Sequence, residues 1–475
     1  MTSRYLAPVA LLPDGWANDV LIETDAAGDI VAVTADSPRD GASHLPGPVL
    51  PGMPNVHSHA FQRALAGRAE RRAEDGRDSF WTWRETMYAF VARLEPDDLE
   101  AIAGWAYAEM LKGGYTSVGE FHYVHNAPDG SPYAARTEMA DRLVAASRAS
   151  GIGLTLLPVL YAHGGFGGAP PSDQQRRFTL DADGFCALWD DLARSIAGHP
   201  QLALGVAPHS LRAVSTDQLA QVVAHVAAAS SSAPIHLHVA EQLAEVDACV
   251  AWSGQRPVAW LLDHAPVSER WCLVHATHVD DAERMRAAAT GAVAGLCPTT
   301  EANLGDGIFP ADAWLRDRGR IGIGSDSNVA VDPAEELRWL EYGQRLTARR
   351  RAVLCGSDRP SVGGTLYRAA LAGGAAALAR PLGRIEPGYR ADLVVLDGSS
   401  AELEGAAGDE LLDRYIFGGA HALVRDVMVG GQWAVVERRC THETGAKARY
   451  VSALKRLFGD GLERSGQATF PSESE

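Results

Sequence analysis

The sequence predicts an α/β protein, a (β/α)8 TIM barrel carrying a small β-sandwich assembled from both chain ends. Three observations lead there. Between about Pro51 and Leu382, short apolar segments alternate with longer helical ones, eight times over. Both ends of the chain instead alternate short apolar runs with turn residues. Histidines and acids stand where several of the eight apolar segments finish, on the rim where barrel enzymes place their chemistry.

Taken in order, DVLIETDAAGDIVAVTAD reads as small antiparallel strands and hairpins, and residues 1–49 are assigned to the sandwich. The barrel, 50–383, starts with strands at LPGMPNVH (50–57), TSVGEFHY (116–123), GLTLLPVL (153–160) and LALGVAPH (202–209). PIHLHVA (234–240), WCLVHA (271–276), GAVAGLC (291–297) and GRIGIGSD (319–326) complete the eight. Helical stretches such as DLEAIAGWAYAEMLKGG lie between them. RADLVVLDG and VRDVMVGGQWAVVERR return to the strand pattern, so 384–440 forms the second part of the sandwich. Residues 441–475 hold an amphipathic helix, KARYVSALKRLF, and a polar end, SGQATFPSESE, expected to be disordered.

Composition narrows the class. The 475 residues are 46% hydrophobic and 22% charged, as in soluble globular proteins. No apolar run approaches the roughly 18 residues of a membrane span. The start, MTSRYLAPVALLPDGW, carries one Arg and a proline-broken apolar stretch, so no secretory leader is expected and the location is read as cytoplasmic. Cys186, Cys249, Cys272, Cys297, Cys355 and Cys440 form no CxxC pair and read as reduced thiols. A formal net charge of −17 argues against a nucleic-acid partner. It does not exclude a small anion, which a few local arginines can bind.

His57-Ser58-His59 closes the first strand, and residues two apart on a strand share a face. Such a pair is half of a zinc site, although two surface or core histidines would give the same pattern. His236, His238 and Glu241 follow on the fifth strand, His275 and His278 on the sixth, and Asp326 ends the eighth. This set resembles the amidohydrolase superfamily, and GRIEPGYRADLVVLD resembles its returning-strand motif. The resemblance implies His57, His59, His238 and Asp326 as metal ligands, with His275 near the attacking water. The HVAE spacing is similar to the HxxE of single-metal deaminases, which favours His238 over His236 and makes Glu241 a proton shuttle. Binuclear relatives usually bridge their metals with a modified lysine, and no lysine occurs between Lys112 and Lys447. One metal per chain is therefore expected. Three imidazoles and a carboxylate suit Zn²⁺ and also Fe²⁺, with zinc preferred for a hydrolysis without redox change.

HSHAFQRA, FWTWRE and TEANLGDGIFP, with EFHYVHN, APHSLRAV and GIGSDSNV, resemble the family of formimidoylglutamate deiminases over about residues 5–440. That resemblance implies hydrolysis of N-formimino-L-glutamate to N-formyl-L-glutamate and ammonia, a step of histidine degradation. The substrate is a small dianion derived from an amino acid. Arg84 and Arg212 are placed to bind its carboxylates bidentately. Tyr123 offers a hydroxyl, and Gln62 and His209 complete the implied substrate shell. In the implied mechanism, a metal-activated water adds to the formimino carbon. Asp326 or Glu241 takes its proton, Glu241 protonates the imino nitrogen, and His275 steadies the adduct. The stretch HGGFGGAPPSDQQRRF reads equally as a lid or a plain surface loop. Relatives imply a homodimer. Two rivals stay open: a guanine-, cytosine- or adenosine-type deaminase, and a barrel kept as a non-catalytic scaffold.

Overall fold

The structure is a computed structural model that describes residues 2–38, 41–70 and 80–459. Among these residues the strands form two sheets. One is the barrel, whose first strands are Met53–Ser58, Tyr115–His122 and Gly153–Leu160. The fourth is split into Leu202–Leu204 and Ala207–Pro208. Ile235–Val239, Trp271–His275, Val293–Leu296 and Arg320–Ile323 follow. Neighbours are parallel throughout, and the eighth strand pairs back with the first through Ile323 and Asn55. Between the fourth and fifth strands, Val206 N–H donates to Pro234 C=O and His236 N–H to Val206 C=O, both at 2.9 Å. The ring is closed, so the barrel presents no unpaired edge.

Period-two alternation explains the fifth strand, IHLHV. Ile235, Leu237 and Val239 pack in the main core, which turns His236 and His238 to the opposite face, into the barrel. Deeper inside, Val56, Cys272, Val274, Val293 and Cys297 form a small cluster with Ala377. Ala377 belongs to the helix Val362–Leu378. That helix approaches so closely that a Cβ on Gly373 would stand 1.8 Å from the Ile321 oxygen. The crossover helix Pro96–Gly113 shows how such elements are bounded. Glu95 and Asp98 close a reciprocal cap, Pro96 opens the first turn, and Gly114 ends the helix at φ 104°.

The second sheet joins the two chain ends. Ser3–Leu12, Gly15–Thr24, Ile30–Thr34, Ser43–His44 and Val49–Pro51 come from one side. Leu393–Leu396, Val424–Val429, Gln432–Val436 and Arg439–Cys440 come from the other. They meet where Val49–Pro51 lies parallel to Ser3–Leu12 and antiparallel to Leu393–Leu396. The sandwich is one hydrogen-bonded sheet with two apolar faces. Val49, Leu393 and Val395 meet Val20, Ile22 and Met428 in a core of their own. Leu50, Val394 and Leu396, one residue out of phase, join the barrel core. Only Gly52 separates Pro51 from the first barrel strand, and a Cβ there would meet Thr116 Cγ2 at 2.2 Å.

The C-terminal helix runs from Glu443 to Phe458 and buries Ala446, Ala453 and Leu457. The polar end expected beyond it lies outside the described residues. Among the described residues, no helix is long and apolar enough to cross a membrane. All six cysteines are free thiols.

Candidate metal centre and active site

Three strands bring four donor atoms to one point. His57 and His59 come from the end of the first, His238 from the fifth, and Asp326 from just beyond the eighth. His57 Nε2 lies 3.2 Å from His59 Nε2 and 3.1 Å from His238 Nε2. Asp326 Oδ1 lies 3.4 Å from His57 Nε2 and 3.3 Å from His59 Nε2. Donors at zinc-ligand distance in a tetrahedron stand roughly 3.3–3.5 Å apart, so the spacing fits a single zinc-sized cation. Facing ring nitrogens this close repel through their lone pairs, and a cation among them removes the repulsion.

The protonation states agree. His59 Nδ1 donates to Phe121 C=O at 2.9 Å, and His238 Nδ1 to His209 C=O at 3.2 Å. Those bonds leave each Nε2 lone pair free to ligate. Burial lowers the pKa of all three rings, to about 3 for His57, so they are neutral near pH 7. Burial opposes ionisation of Asp326, but His57, His275 and His59 outweigh it and hold that carboxyl below the usual range. Phe121 packs edge-on beneath the cluster, 4.5 Å from the His238 ring and 5.0 Å from His57.

The rim is held in left-handed backbone at Ala240 (φ 52°), His275 (φ 65°), Ala276 (φ 49°), Asp326 (φ 44°) and Asn328 (φ 57°). Asn328 shows what holds it. Its Nδ2 donates to His59 C=O and to Asp326 C=O, each at 3.0 Å, tying the first strand end to the eighth. At His275 the positive φ has a direct use. With Val274 inside the barrel, plain alternation would send His275 outward. Instead its Nδ1 meets Glu301 Oε1 at 3.2 Å, while Nε2 lies 3.7 Å from Asp326 Oδ2 and 3.8 Å from Glu241 Oε1. Burial disfavours charge on this ring, yet Glu241, Glu301 and Asp326 outweigh it and its pKa rises.

Burial raises the pKa of Glu241, and the cations of His275 and Arg212 offset this only in part. The turn that presents Glu241 is fixed by Glu245, whose carboxylate accepts from Ala240 N–H at 3.2 Å and Glu241 N–H at 3.1 Å. Asp306, buried nearby and bonded by Gln242, is also raised, by burial and then by Glu241.

Gln62, Arg84, Tyr123, His209 and Arg212 line the same cavity as His59, His238, Glu241, His275 and Asp326. His57 lies directly beneath, fully buried. Gln62 Nε2 donates to the Tyr123 hydroxyl at 3.0 Å, and Arg84 lies over the Trp81 ring at 4.4 Å. The Nε atoms of Arg84 and Arg212 are buried without a hydrogen-bond partner among the described residues. Burial opposes charge on Arg212, but Glu245 and Glu241 more than offset it.

Two histidines stay outside the cluster. His236 sits one layer deeper and bonds Ala377 C=O through Nε2 at 2.8 Å. His278 packs at Gly307 instead. Reasoning from the sequence missed Glu301, Asp306, Glu245, Asn328, Tyr88 and Tyr161. The acids had a signal, since Glu301 and Asp306 share TEANLGDGIFP and Glu245 follows HVAE. The segment 163–180 is pinned by Arg177, only 1% exposed, which donates to Asn126 C=O at 2.9 Å and Leu94 C=O at 2.6 Å. A wider groove of about 1000 Å³ opens at the other end of the barrel, beside Arg320 and Arg368. It holds none of the groups above, so chemistry and not size marks the site.

Comparison with known proteins fits this geometry. The amidohydrolase family profile matches residues 49–434, and the chain belongs to the amidohydrolase family. A second profile, described as the N-terminal domain of formimidoylglutamate deiminase HutF, matches residues 6–45. The chain is 54% identical to formimidoylglutamate deiminase of Pseudomonas aeruginosa, over 96% of its own length and 100% of the relative's. It superposes on the crystal structure of an amidohydrolase from Brucella melitensis with a TM-score of 0.90 at 46% identity, covering 96% of this chain and 100% of that one. An adenosine deaminase from Xanthomonas campestris, solved with bound zinc, gives 0.79 at 25% identity, covering 96% and 98%.

Proposed function

We propose that this amidohydrolase hydrolyses N-formimino-L-glutamate to N-formyl-L-glutamate and ammonia, as a cytoplasmic homodimer acting in histidine degradation. The observation that carries the reading is the pair of arginines. Arg84 and Arg212 share a cavity with the histidine cluster, and each keeps a buried Nε donor without a partner among the described residues. Buried donors seek acceptors, and a dianion provides two carboxylates. A neutral nucleobase offers these donors no carboxylate to bind. The 54% identity to the Pseudomonas enzyme supports the same choice. Within this reading, residues 50–383 are the catalytic unit, and 1–49 with 384–440 form the supporting sheet.

His57, His59, His238 and Asp326 would hold one zinc ion. When bound there, zinc makes a water molecule nucleophilic near neutral pH. Arg84, Arg212, Tyr123, Gln62 and His209 hold the carboxylates, so that the formimino carbon faces the cluster. Glu241 takes a proton from the attacking water and returns it to the imino nitrogen, a task suited to a carboxyl with a raised pKa. His275, braced by Glu301, donates to the developing negative charge. Glu241 then carries the adduct's hydroxyl proton to the same nitrogen, and as the carbon–nitrogen bond breaks the carbonyl forms, ammonia leaves and the formyl group stays on glutamate. Ammonia release measured across formiminoglutamate, formiminoaspartate and the common nucleobases tests this, with turnover of formiminoglutamate expected to dominate. Preference for a nucleobase would overturn it.

A further inference from the structure

Helix Phe80–Val91 and the end of the third barrel strand, Gly153–Leu160, bring two further tyrosines, Tyr88 and Tyr161, to the arginine end of the cavity. Both are buried. Tyr161 packs edge-on against His209 at 4.6 Å, and Phe178 lies near both tyrosine rings. Behind them stands Gln175, 5% exposed, in the single turn Asp173–Gln175.

Hydrogen-bond accounting fixes which way the Gln175 amide points. Ser172 N–H donates to Gln175 Oε1 at 2.8 Å, and a backbone N–H cannot do otherwise. The amide oxygen must therefore face Ser172, and Nε2 must face the tyrosines. Nε2 donates to Tyr161 Oη at 2.7 Å and, more weakly, to Tyr88 Oη at 3.4 Å. Both hydroxyl oxygens are thus acceptors toward Gln175, and both O–H protons point elsewhere. The two hydroxyls can satisfy one of these protons between them. The second has no protein acceptor among the described residues, and Arg84 and Arg212 beside it are donors only. A buried hydroxyl proton without an acceptor is costly, and the site is complete when an anion supplies one.

We propose that the Tyr88–Tyr161 pair supplies one specificity-determining hydroxyl donor to a substrate carboxylate, and that Gln175 is the positioning residue that aims it. This rests on the substrate reading above and deepens it, adding a neutral arm to the two cationic ones. It also assigns a task to the segment 163–180, whose glutamine sets the polarity of the pocket wall.

The test uses the full-length, zinc-loaded enzyme with Tyr161→Phe and Gln175→Glu. In the second variant the residue keeps its shape but can only accept, which draws the tyrosine protons away from the pocket. Three substrates are compared: formiminoglutamate, formiminoglycine, which lacks the side-chain carboxylate, and 4-formiminobutyrate, which lacks the α-carboxylate. Calorimetry gives Kd for N-formyl-L-glutamate in parallel. Each variant is expected to raise KM and Kd for the glutamate compounds by about 10- to 100-fold, the loss of one hydrogen bond to a charged acceptor. kcat should change less than threefold. The KM penalty should persist on one truncated substrate and vanish on the other, because one carboxylate alone uses this donor. Equal penalties on both truncated substrates, or unchanged KM for formiminoglutamate, would overturn the inference. A wild type that fails to turn over formiminoglutamate would instead overturn the substrate reading.

Discussion

The histidine end of the cavity and the arginine end differ in where their polar atoms find partners. At the histidine end, bonds to Phe121, His209 and Glu301 orient His59, His238 and His275. Those bonds come from Phe121 near a strand end, His209 just past one and Glu301 on the helix Pro298–Leu304, around a closed ring of strands. At the arginine end, Arg84 Nε, Arg212 Nε and Gln62 Oε1 are buried and unpaired among the described residues. They sit on a helix and on loops. Within the histidine cluster only His57 Nδ1 is buried without a partner among the described residues, whereas the arginine end leaves several donors and acceptors that the proposed substrate would meet. On the proposed function, chemistry and specificity would thereby be separated in one pocket, with strand ends carrying catalysis and loops recognition.

The largest effect should come from the histidine end. Asp326→Ala removes a donor from the tetrad, so metal content should fall well below the one ion per chain expected of wild type. Activity should drop by more than about 10³-fold as the activated water is lost. Two tightly held ions in wild-type protein, by metal analysis, would contradict the single-ion geometry. Glu241→Gln comes next. It should keep the metal and the fold and lose about 10²- to 10⁴-fold in kcat, the range of general acid–base catalysis. Loss of metal from that variant would make Glu241 a ligand and blur the two ends.

Arg212→Met sharpens the contrast from the other side. Metal content should stay normal, while kcat/KM for formiminoglutamate falls by roughly 10²-fold, the cost of an uncompensated buried carboxylate. A neutral formimino compound should barely notice the change. Equal losses on both compounds would mean that Arg212 shapes the pocket without binding charge. The smallest effect is structural. Asn328→Ala removes the tie between the first and eighth strand ends, and should cost about 1–3 kcal/mol of stability by thermal or denaturant unfolding. An unchanged unfolding midpoint would show that the strand ends hold themselves.

The same divide decides how much could be read in the sequence. Strand alternation put His57 with His59 and His238 on the barrel's inner face, because a period of two survives translation from sequence to structure. The strands themselves were legible for the same reason, in apolar runs such as WCLVH. His275 was marked by its place at a strand end, but alternation alone would have faced it outward, since a left-handed backbone carries it across. Tyr88 and Tyr161 lie far apart in the chain and meet only through the fold, and nothing in their local pattern distinguishes them from core aromatics. Gln175 was hidden more deeply still, because its role depends on which end of an amide faces Ser172.

The continuity at Gly52 sets an order of events during synthesis. Val49–Pro51 runs almost directly into the strand bearing His57, and its antiparallel partner, Leu393–Leu396, is made only after the entire barrel. The first strand leaves the ribosome early, yet its base has no lasting partner on that side until the four C-terminal strands of the second sheet arrive. Pairings so distant in sequence are slow to form. The strand leading into the candidate ligands is therefore begun early and flanked last, and a chain cut short before Leu393 would carry all four candidate ligands on a closed ring whose lead-in, Val49–Pro51, lacks its antiparallel neighbour.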